Sequence, residues 1–362
     1  MSPALASSLV VRRSAVATAL TDTSYDALLV TCWENVRYLS GFTGSNAALL
    51  VDRTGRGVLA TDGRYLTQAA IEAPDVQCVD ARGVATTLVA RSAAEGMGQV
   101  GFEPHVVTVD QLGALKCVAG DVTLAPTSRM VEALRVVKDA EELAALATAC
   151  EITDAAFADL IGMLRPGMTE RDAAWALMDS MRRRGAEAPA FEIIAAFGDH
   201  SAIPHHRPTD RSLERGDLVK VDFGAKVDGY HADMTRTFVV GPPTEWQREI
   251  HAQVASLQAT LRDSVVVGVV PADLDAAMRR QLAADGQQVA HGLGHGVGLA
   301  IHEDPFLTEA SSAPPLVAGA VVTIEPGVYL PKRGGVRIED TLAVTADGPV
   351  VMTSSPRELI EV

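Results

Sequence analysis

Four carboxylates and one histidine occupy sequence surroundings that are typical of a metal site. Each acid is embedded in an apolar, strand-like run, where an unpaired buried charge costs several kcal/mol. Two divalent cations would balance four carboxylates, whereas the same cluster without a cation would repel itself. The set therefore predicts a dinuclear hydrolytic centre. Its members are Asp222 and Asp233 in VDFGAKVDGYHADMTRTF, His295 in HGLGHGVGL, Glu325 in TIEPGVY and Glu339 in GVRIED.

The ligand types indicate which metals fit. Oxygen-rich ligation with a single imidazole suits Mn²⁺, Co²⁺, Fe²⁺ or Zn²⁺ rather than a closed thiolate zinc site. Two such ions about 3.5–4 Å apart can lower the pKa of a shared water and polarise a carbonyl group.

The first pair of acids flanks a predicted β-hairpin. Asp228-Gly229 is a strong two-residue turn signal, and centring the turn there pairs Asp222 with Thr235 across the strands. Asp233 is then a diagonal neighbour on the same face, within reach of a shared cation. A slip of one residue would separate the two acids. The spacing by itself is equally compatible with two surface acids beside a turn.

The second pair, Glu325 and Glu339, lies in two apolar strand-like runs joined by a turn at residues 332–335. Arg337 precedes Glu339 by two residues and shares its face if the strand is regular. It can pair with that carboxylate, bind a substrate carboxylate through its fork, or form an ordinary structural salt bridge.

Histidines cluster near these runs. His291, His295 and His302 fall within twelve positions amid glycines, which let backbone approach a crowded centre. The spacing fits neither a dinucleotide fingerprint nor a phosphate loop. His205 and His206 follow the strand-like run FEIIAAF, and one of the two is expected to face the same cavity.

Composition restricts the class of protein. The chain has 362 residues, 48% of them hydrophobic and 21% charged, which predicts a globular protein with two domains. A net charge of −15 argues against a nucleic-acid partner. The four cysteines form no C-x-x-C pair, and neither a signal-peptide core nor a membrane-length apolar run is found, so we expect a cytoplasmic protein without a membrane partner.

Two patterns of elements divide the chain. Strand-like segments at 26–31, 47–52 and 98–102 alternate with helix-like segments near 63–73, 84–95 and 106–117, which predicts an α/β domain over residues 1–130. A long helix stopped by Pro166-Gly167 opens the second domain, residues 131–362. Further helices are expected at about 170–184, 244–262 and 271–284, with strands and hairpins between them.

The stretches IPHHRP, VDFGAKVDGYHADMTRTF, HGLGHGVGLAIHE, TIEPGVY and GVRIEDT, in this order, closely resemble the aminopeptidase P/prolidase family. The resemblance covers about residues 127–362 and extends more weakly to YLSGFTGSNAALLV and ATDGRYLTQA. It implies an α/β N-terminal domain plus an α+β pita-bread catalytic domain, the fold of creatinase and methionine aminopeptidase.

The resemblance also implies residue roles. The metal ligands would be Asp222, Asp233, His295, Glu325 and Glu339, with Asp233 shared by both ions and Glu325 also the general base. The catalytic group would further contain His205, His291, His302 and Arg337. His206 has no counterpart in the family and is expected at the surface.

The resemblance implies an Xaa-Pro aminopeptidase that hydrolyses the bond between an N-terminal residue and a following proline. Its cofactors would be two divalent ions, with Mn²⁺ expected and Co²⁺ or Zn²⁺ as alternatives, and its assembly a homodimer. The nearest alternative is an Xaa-Pro dipeptidase (prolidase). A metal-free creatinase-like hydrolase and a catalytically dead binding module are disfavoured because all five ligands are present.

Overall fold

The computed structural model describes the backbone of residues 3–362 and the side chains from residue 7 onward. The chain divides into two compact units, one ending at Arg135 and the other spanning Val136–Val362. Within the described residues, no helix combines the length and apolar character that crossing a bilayer requires.

From residue 3 onward, the first unit is one mixed β-sheet with six helices. Its strands have the order β4-β3-β2-β1-β5-β6, with β1–β5, β5–β6 and β3–β4 parallel and the two pairs of β2 antiparallel. The helices are Pro3–Thr21 (α1), Trp33–Ser40 (α2), Leu66–Glu72 (α3), Val84–Ala94 (α4), Val109–Val118 (α5) and Met130–Arg135 (α6). The strands are Ala27–Val30 (β1), Ala47–Asp52 (β2), Gly57–Thr61 (β3), Gln77–Asp80 (β4), Gln99–Phe102 (β5) and Thr123–Pro126 (β6).

The predicted strands of this unit are confirmed as β1, β2 and β5, whose residues are almost all buried. Their continuous apolar runs suit strands covered on both faces. Helix α1 was not predicted, because its alanines and valines are spread around the helix rather than gathered on one face.

The second unit contains four α-helices, a 3₁₀ helix and several antiparallel sheets. The helices are Ala140–Met163 (α7), Glu170–Arg183 (α8), Glu245–Asp263 (α9) and Pro271–Ala284 (α10), with the 3₁₀ helix at Gly198–Ala202. The strands are Ala188–Pro189 (β7), Ile194–Phe197 (β8), Leu218–Phe223 (β9), Ala225–Val227 (β10), Tyr230–His231 (β11), Met234–Val239 (β12), Gly294–Gly296 (β13), Glu303–Leu307 (β14), Val321–Ile324 (β15), Gly327–Leu330 (β16), Gly334–Arg337 (β17), Asp340–Thr345 (β18) and Gly348–Val351 (β19).

Local signals explain where these helices begin. The side chains of Asp139 and Thr169 each accept a backbone N–H of the first turn, and each forms a capping box that starts α7 or α8. The predicted long helix is confirmed and ends at Met163, shortly before Pro166-Gly167.

Strands β12, β9 and β8 form one sheet, and β14, β13, β15, β18 and β19 form another.

The predicted register of the first hairpin is confirmed. Asp222 pairs with Thr235 in the β9–β12 ladder, and β10 pairs with β11 in the same register. The turn residues Asp228 and Gly229 both have positive φ values, of 46° and 76°. Since the primed hairpin turn requires positive φ at both central positions, this dipeptide fixes the register.

The second pair of apolar runs is interrupted rather than continuous. Ile324 pairs with Asp340 in the β15–β18 ladder, and Gly327 pairs with Arg337 in the β16–β17 hairpin. Glu325 and Glu339 lie opposite each other in the gap between these two ladders. Because no ladder pairing holds the gap, their side chains leave the regular alternation of a strand and can turn toward a common centre.

Candidate metal centre

A cavity of about 580 Å³ in the second unit collects the residues that the sequence singled out. All of its lining residues lie between positions 191 and 339. The lining contains every predicted ligand and catalytic residue, namely His205, Asp222, Asp233, His291, His295, His302, Glu325, Arg337 and Glu339.

The first hairpin delivers two carboxylates to the cavity. Asp222 lies in β9, and Asp233 lies immediately before β12. Gly224 makes their approach possible, because a Cβ atom at this position would lie only 1.7 Å from the carbonyl oxygen of Ala232. Any side chain at position 224 would therefore force the two strands apart where they carry the acids.

Backbone and hydroxyl contacts fix the second pair of acids. The backbone N–H of Glu325 donates to the carbonyl of Leu293 at 2.9 Å, and that of Glu339 donates to the carbonyl of Thr235 at 3.1 Å. The hydroxyl of Thr235 also donates to Glu339 Oε2 at 2.7 Å. Thr235 thus connects the two hairpins, since it is the cross-strand partner of Asp222.

His295 offers one ring nitrogen to the acids. Its Nδ1 lies 3.1 Å from the carbonyl oxygen of Gly296, while its Nε2 lies 3.5 Å from Asp233 and 3.7 Å from Glu325. Burial, with a smaller effect of nearby His302, lowers the pKa of His295 to about 4. The imidazole is therefore neutral at pH 7, as a metal ligand must be.

The electrostatics of the cluster call for a cation. Burial, followed by the charges of the neighbouring acids, raises the pKa of Asp233 and Glu325 well above their ordinary values. The same causes raise the pKa of Glu339 to about 8. Asp222 Oδ1 is buried without a hydrogen-bond partner.

Ligand atoms of Asp233, His295 and Glu339 all lie within 4.8 Å of one another. Acids that repel one another, a carboxylate oxygen without a hydrogen-bond partner and a ring nitrogen directed at the acids are typical of a site that binds cations. The donor set fits divalent metal ions.

Of the alternatives that the sequence left open for Arg337, the structure shows a buried ion pair, and its partner is Asp222 rather than Glu339. Its Nε donates to the Thr235 hydroxyl at 3.0 Å and its Nη1 to the Tyr329 hydroxyl at 2.9 Å. Strands β16 and β17 form a hairpin of their own that points the guanidinium at β9. Burial opposes the charge of Arg337, but the surrounding phenol and carboxylates raise its pKa further.

The histidines take different positions in the cavity. His291 Nε2 lies 2.8 Å from the hydroxyl of Tyr329, and burial is the main cause that lowers the pKa of His291 to about 4. The His302 ring packs edge-on against the His295 ring, with 4.4 Å between the ring centroids. His205 and His302 are both exposed to solvent. His205 and His302 are thus accessible to a molecule that enters the cavity.

The prediction that His206 lies at the surface was wrong. This residue is 8% exposed, and its Nε2 lies 2.8 Å from Glu170 Oε2. Glu170 also accepts hydrogen bonds from His200 Nδ1, the Phe197 backbone, and the backbone and hydroxyl of Thr209. Glu170, His200 and His206 have the ligand spacing of a metal site, but these hydrogen bonds already satisfy the carboxylate.

Three supporting residues were missed from the sequence. Glu170 resembled an ordinary acid in the first turn of a helix, and Tyr329 resembled a core aromatic residue. Lys220 alternated with apolar residues in β9 as a solvent-facing residue would, yet it is fully buried. Its ammonium donates to the carbonyls of Ile203 and Pro204, directly before His205. Only their contacts in the folded chain distinguish these three residues from ordinary acidic, aromatic and basic residues of helices and strands.

Two protein-family models together match most of the chain. Residues 144–346 match metallopeptidase family M24, and residues 12–137 match the creatinase/prolidase N-terminal domain. An uncharacterized peptidase, YqhT of Bacillus subtilis, is 38% identical over 338 residues, which are 92% of this chain and 95% of that protein.

Solved structures extend the likeness. The Xaa-Pro dipeptidase from Bacillus anthracis matches with a TM-score of 0.93 and 36% identity, covering 98% of this chain and 100% of that one. The X-Pro aminopeptidase from Thermotoga maritima matches with a TM-score of 0.88 and 31% identity, covering 95% and 98%. Further relatives and structures are mostly named dipeptidases, and several of them are named Xaa-Pro dipeptidase or prolidase. The predicted fold class is confirmed, and the chain belongs to the M24 metallopeptidases of the aminopeptidase P/prolidase family.

Proposed function

We propose that this protein is an Xaa-Pro dipeptidase, which hydrolyses the bond before a C-terminal proline. The observation that carries the proposal is the convergence of four carboxylates and one imidazole in a single cavity. The relatives of the chain are mostly named dipeptidases, and several are named Xaa-Pro dipeptidase or prolidase. These names favour the dipeptidase over the aminopeptidase expected from the sequence. An Xaa-Pro aminopeptidase is the second candidate, supported by the likeness to the T. maritima structure.

Two divalent cations would be held by Asp222, Asp233, His295, Glu325 and Glu339. When bound, such cations lower the pKa of water and polarise a carbonyl group. Mn²⁺ is our first choice because the donors are mainly oxygen, and Co²⁺ and Zn²⁺ are the alternatives.

Side chains of the cavity would transfer the proton and stabilise the negative charge that develops on the substrate carbonyl. Glu325 accepts the proton of the attacking water and passes it to the proline nitrogen as the C–N bond breaks. The exposed imidazoles of His205 and His302 donate hydrogen bonds to the substrate carbonyl as it becomes an oxyanion.

Other residues position this machinery and the substrate. Arg337 holds Asp222, and Tyr329 holds His291. The nitrogen of the scissile bond is a tertiary amide without an N–H, so a proline ring is recognised by shape rather than by a donor. Phe191, Ile301 and Phe306 line the cavity and supply apolar surface for that ring.

A substrate series on the metal-loaded protein tests the function. We expect turnover of alanyl-proline, and turnover at least about tenfold lower for alanyl-prolyl-alanine and alanyl-alanine. EDTA should abolish activity, Mn²⁺ should restore it, and Asp233→Asn should stay inactive after metal addition. Faster cleavage of the tripeptide than of the dipeptide would establish the aminopeptidase instead, and activity unaffected by EDTA would refute the metal-dependent proposal.

The assembly and location of the protein are also proposals. We infer a homodimer in the cytoplasm from the family resemblance and from the chain's composition. Light scattering coupled to gel filtration measures the mass of the assembly, and a mass near the 38.1 kDa of one chain would contradict the homodimer.

A further inference from the structure

Arg207 lies at the rim of the cavity. Apart from Arg337, it is the only lysine or arginine among the described residues that line this cavity. Arg337 is 2% exposed and already paired with Asp222, whereas the Arg207 side chain is 83% exposed. An anion that enters from water therefore meets the charge of Arg207 first.

The backbone that carries Arg207 is anchored on both sides. His206 on one side and Thr209 on the other are both bonded to Glu170 Oε2, at 2.8 Å and at 2.6–2.9 Å. Pro208 further restricts residue 207 to extended backbone conformations. The guanidinium thus moves only through its own side-chain torsions, from a fixed point at the rim.

Across from this point lies a carboxylate. Glu192 Oε2 is 3.4 Å from Arg207 Nε, and the Glu192 side chain is 67% exposed. An ion pair between two such exposed groups is weak, so another carboxylate can replace Glu192 at little cost. The contact has the chemistry of a carboxylate recognition site that the chain's own acid partly occupies.

We propose that Arg207 binds the C-terminal carboxylate of the dipeptide substrate, and that Glu192 opposes this binding. The inference rests on the proposed function, since only a dipeptide ends directly after the proline. A free carboxylate entering a cavity that already contains four acids needs a cationic partner. A guanidinium matches a carboxylate with two parallel N–H donors.

The test compares alanyl-proline with its C-terminal amide on the Mn²⁺-loaded protein. Arg207→Ala should lower kcat/KM for the free acid by about tenfold, mainly through KM, and leave the amide almost unchanged. Arg207→Lys should retain part of the preference for the acid. Glu192→Gln should strengthen the preference for the acid, because kcat/KM for the acid should rise relative to that for the amide.

A matched control uses another exposed arginine in an ion pair outside the cavity. Arg171 lies 2.6 Å from Asp210, and Arg171→Ala should leave both substrates unaffected. Equal losses for acid and amide in Arg207→Ala would overturn the inference while leaving the dipeptidase proposal intact. A wild-type protein that cleaves neither substrate would refute the proposed function itself, and the inference with it.

Discussion

The acids of the cavity raise one another's pKa, and we expect this repulsion to make the protein depend on a bound cation. Burial and mutual charge raise the pKa of Glu339 to about 8 and those of Asp233 and Glu325 well above their ordinary values. The identity of each acid was predictable from its apolar surroundings. The groups that influence the pKa of each acid, such as the Thr235 hydroxyl that donates to Glu339, are identified only in the folded chain.

This repulsion predicts how the metal-free protein responds to pH. An acid whose folded pKa is raised binds more protons when folded than when unfolded, so the free energy of unfolding falls as pH rises between the two pKa values. For Glu339 that window runs from 4.5 to about 8. His291 and His295, with pKa lowered to about 4, act in the opposite direction only below their ordinary value of 6.5.

We therefore expect the Tm of EDTA-treated protein to fall between pH 6.5 and 8, measured by calorimetry. Saturating Mn²⁺ should remove most of this fall, because bound cations favour the ionised acids. Glu339→Gln should flatten the metal-free profile by removing one titrating group. A metal-free Tm that rises across this window would contradict the proposed electrostatics.

At the scale of elements, two hairpins of different predictability build the site. The register of β9 and β12 followed from Asp228-Gly229, because a two-residue turn with positive φ values allows one pairing. The break at Glu325 has one local signal, because Pro326 has no N–H to donate to a ladder. The run around Glu339 has no such residue, and only its pairing with different neighbours divides it.

The close approach at Gly224 gives an element-scale prediction. Gly224→Ala places a Cβ atom against the Ala232 carbonyl, so we expect a loss of about 1–3 kcal/mol in the free energy of unfolding and weaker Mn²⁺ binding. Urea denaturation and metal titration measure the two effects. The matched control is Gly162→Ala in α7, where no atom lies within 4 Å of the added Cβ, and this change should stabilise the helix. Unchanged metal affinity in Gly224→Ala would show that the strand separation does not affect the ligands.

At the scale of the whole molecule, the site belongs entirely to one unit. Every residue that lines the cavity lies within Val136–Val362, which has hydrophobic clusters of its own. The first unit likewise has its own core around its sheet. A unit with a separate core and all the candidate ligands meets the physical conditions for independent folding and metal binding.

A chain restricted to residues 136–362 should therefore fold and bind Mn²⁺. Circular dichroism measures its folding, and calorimetric titration measures its stoichiometry and affinity. The same fragment with Asp233→Asn and Glu339→Gln is the control and should lose the binding. A folded fragment that fails to bind Mn²⁺ would show that residues before 136 are needed for the site.

The sequence by itself determined which acids and histidines gather in the cavity, the hairpin register and the division into an α/β part and a hairpin-rich part. These follow from local chemistry, since apolar periodicity, turn residues and embedded acids act over short stretches of chain. The tertiary structure alone decided that Arg337 pairs with Asp222, that His206 is buried against Glu170, and that Lys220 supports the backbone before His205. Each of these contacts joins residues at least sixteen positions apart, and the folded packing selects such partners among many chemically equivalent ones.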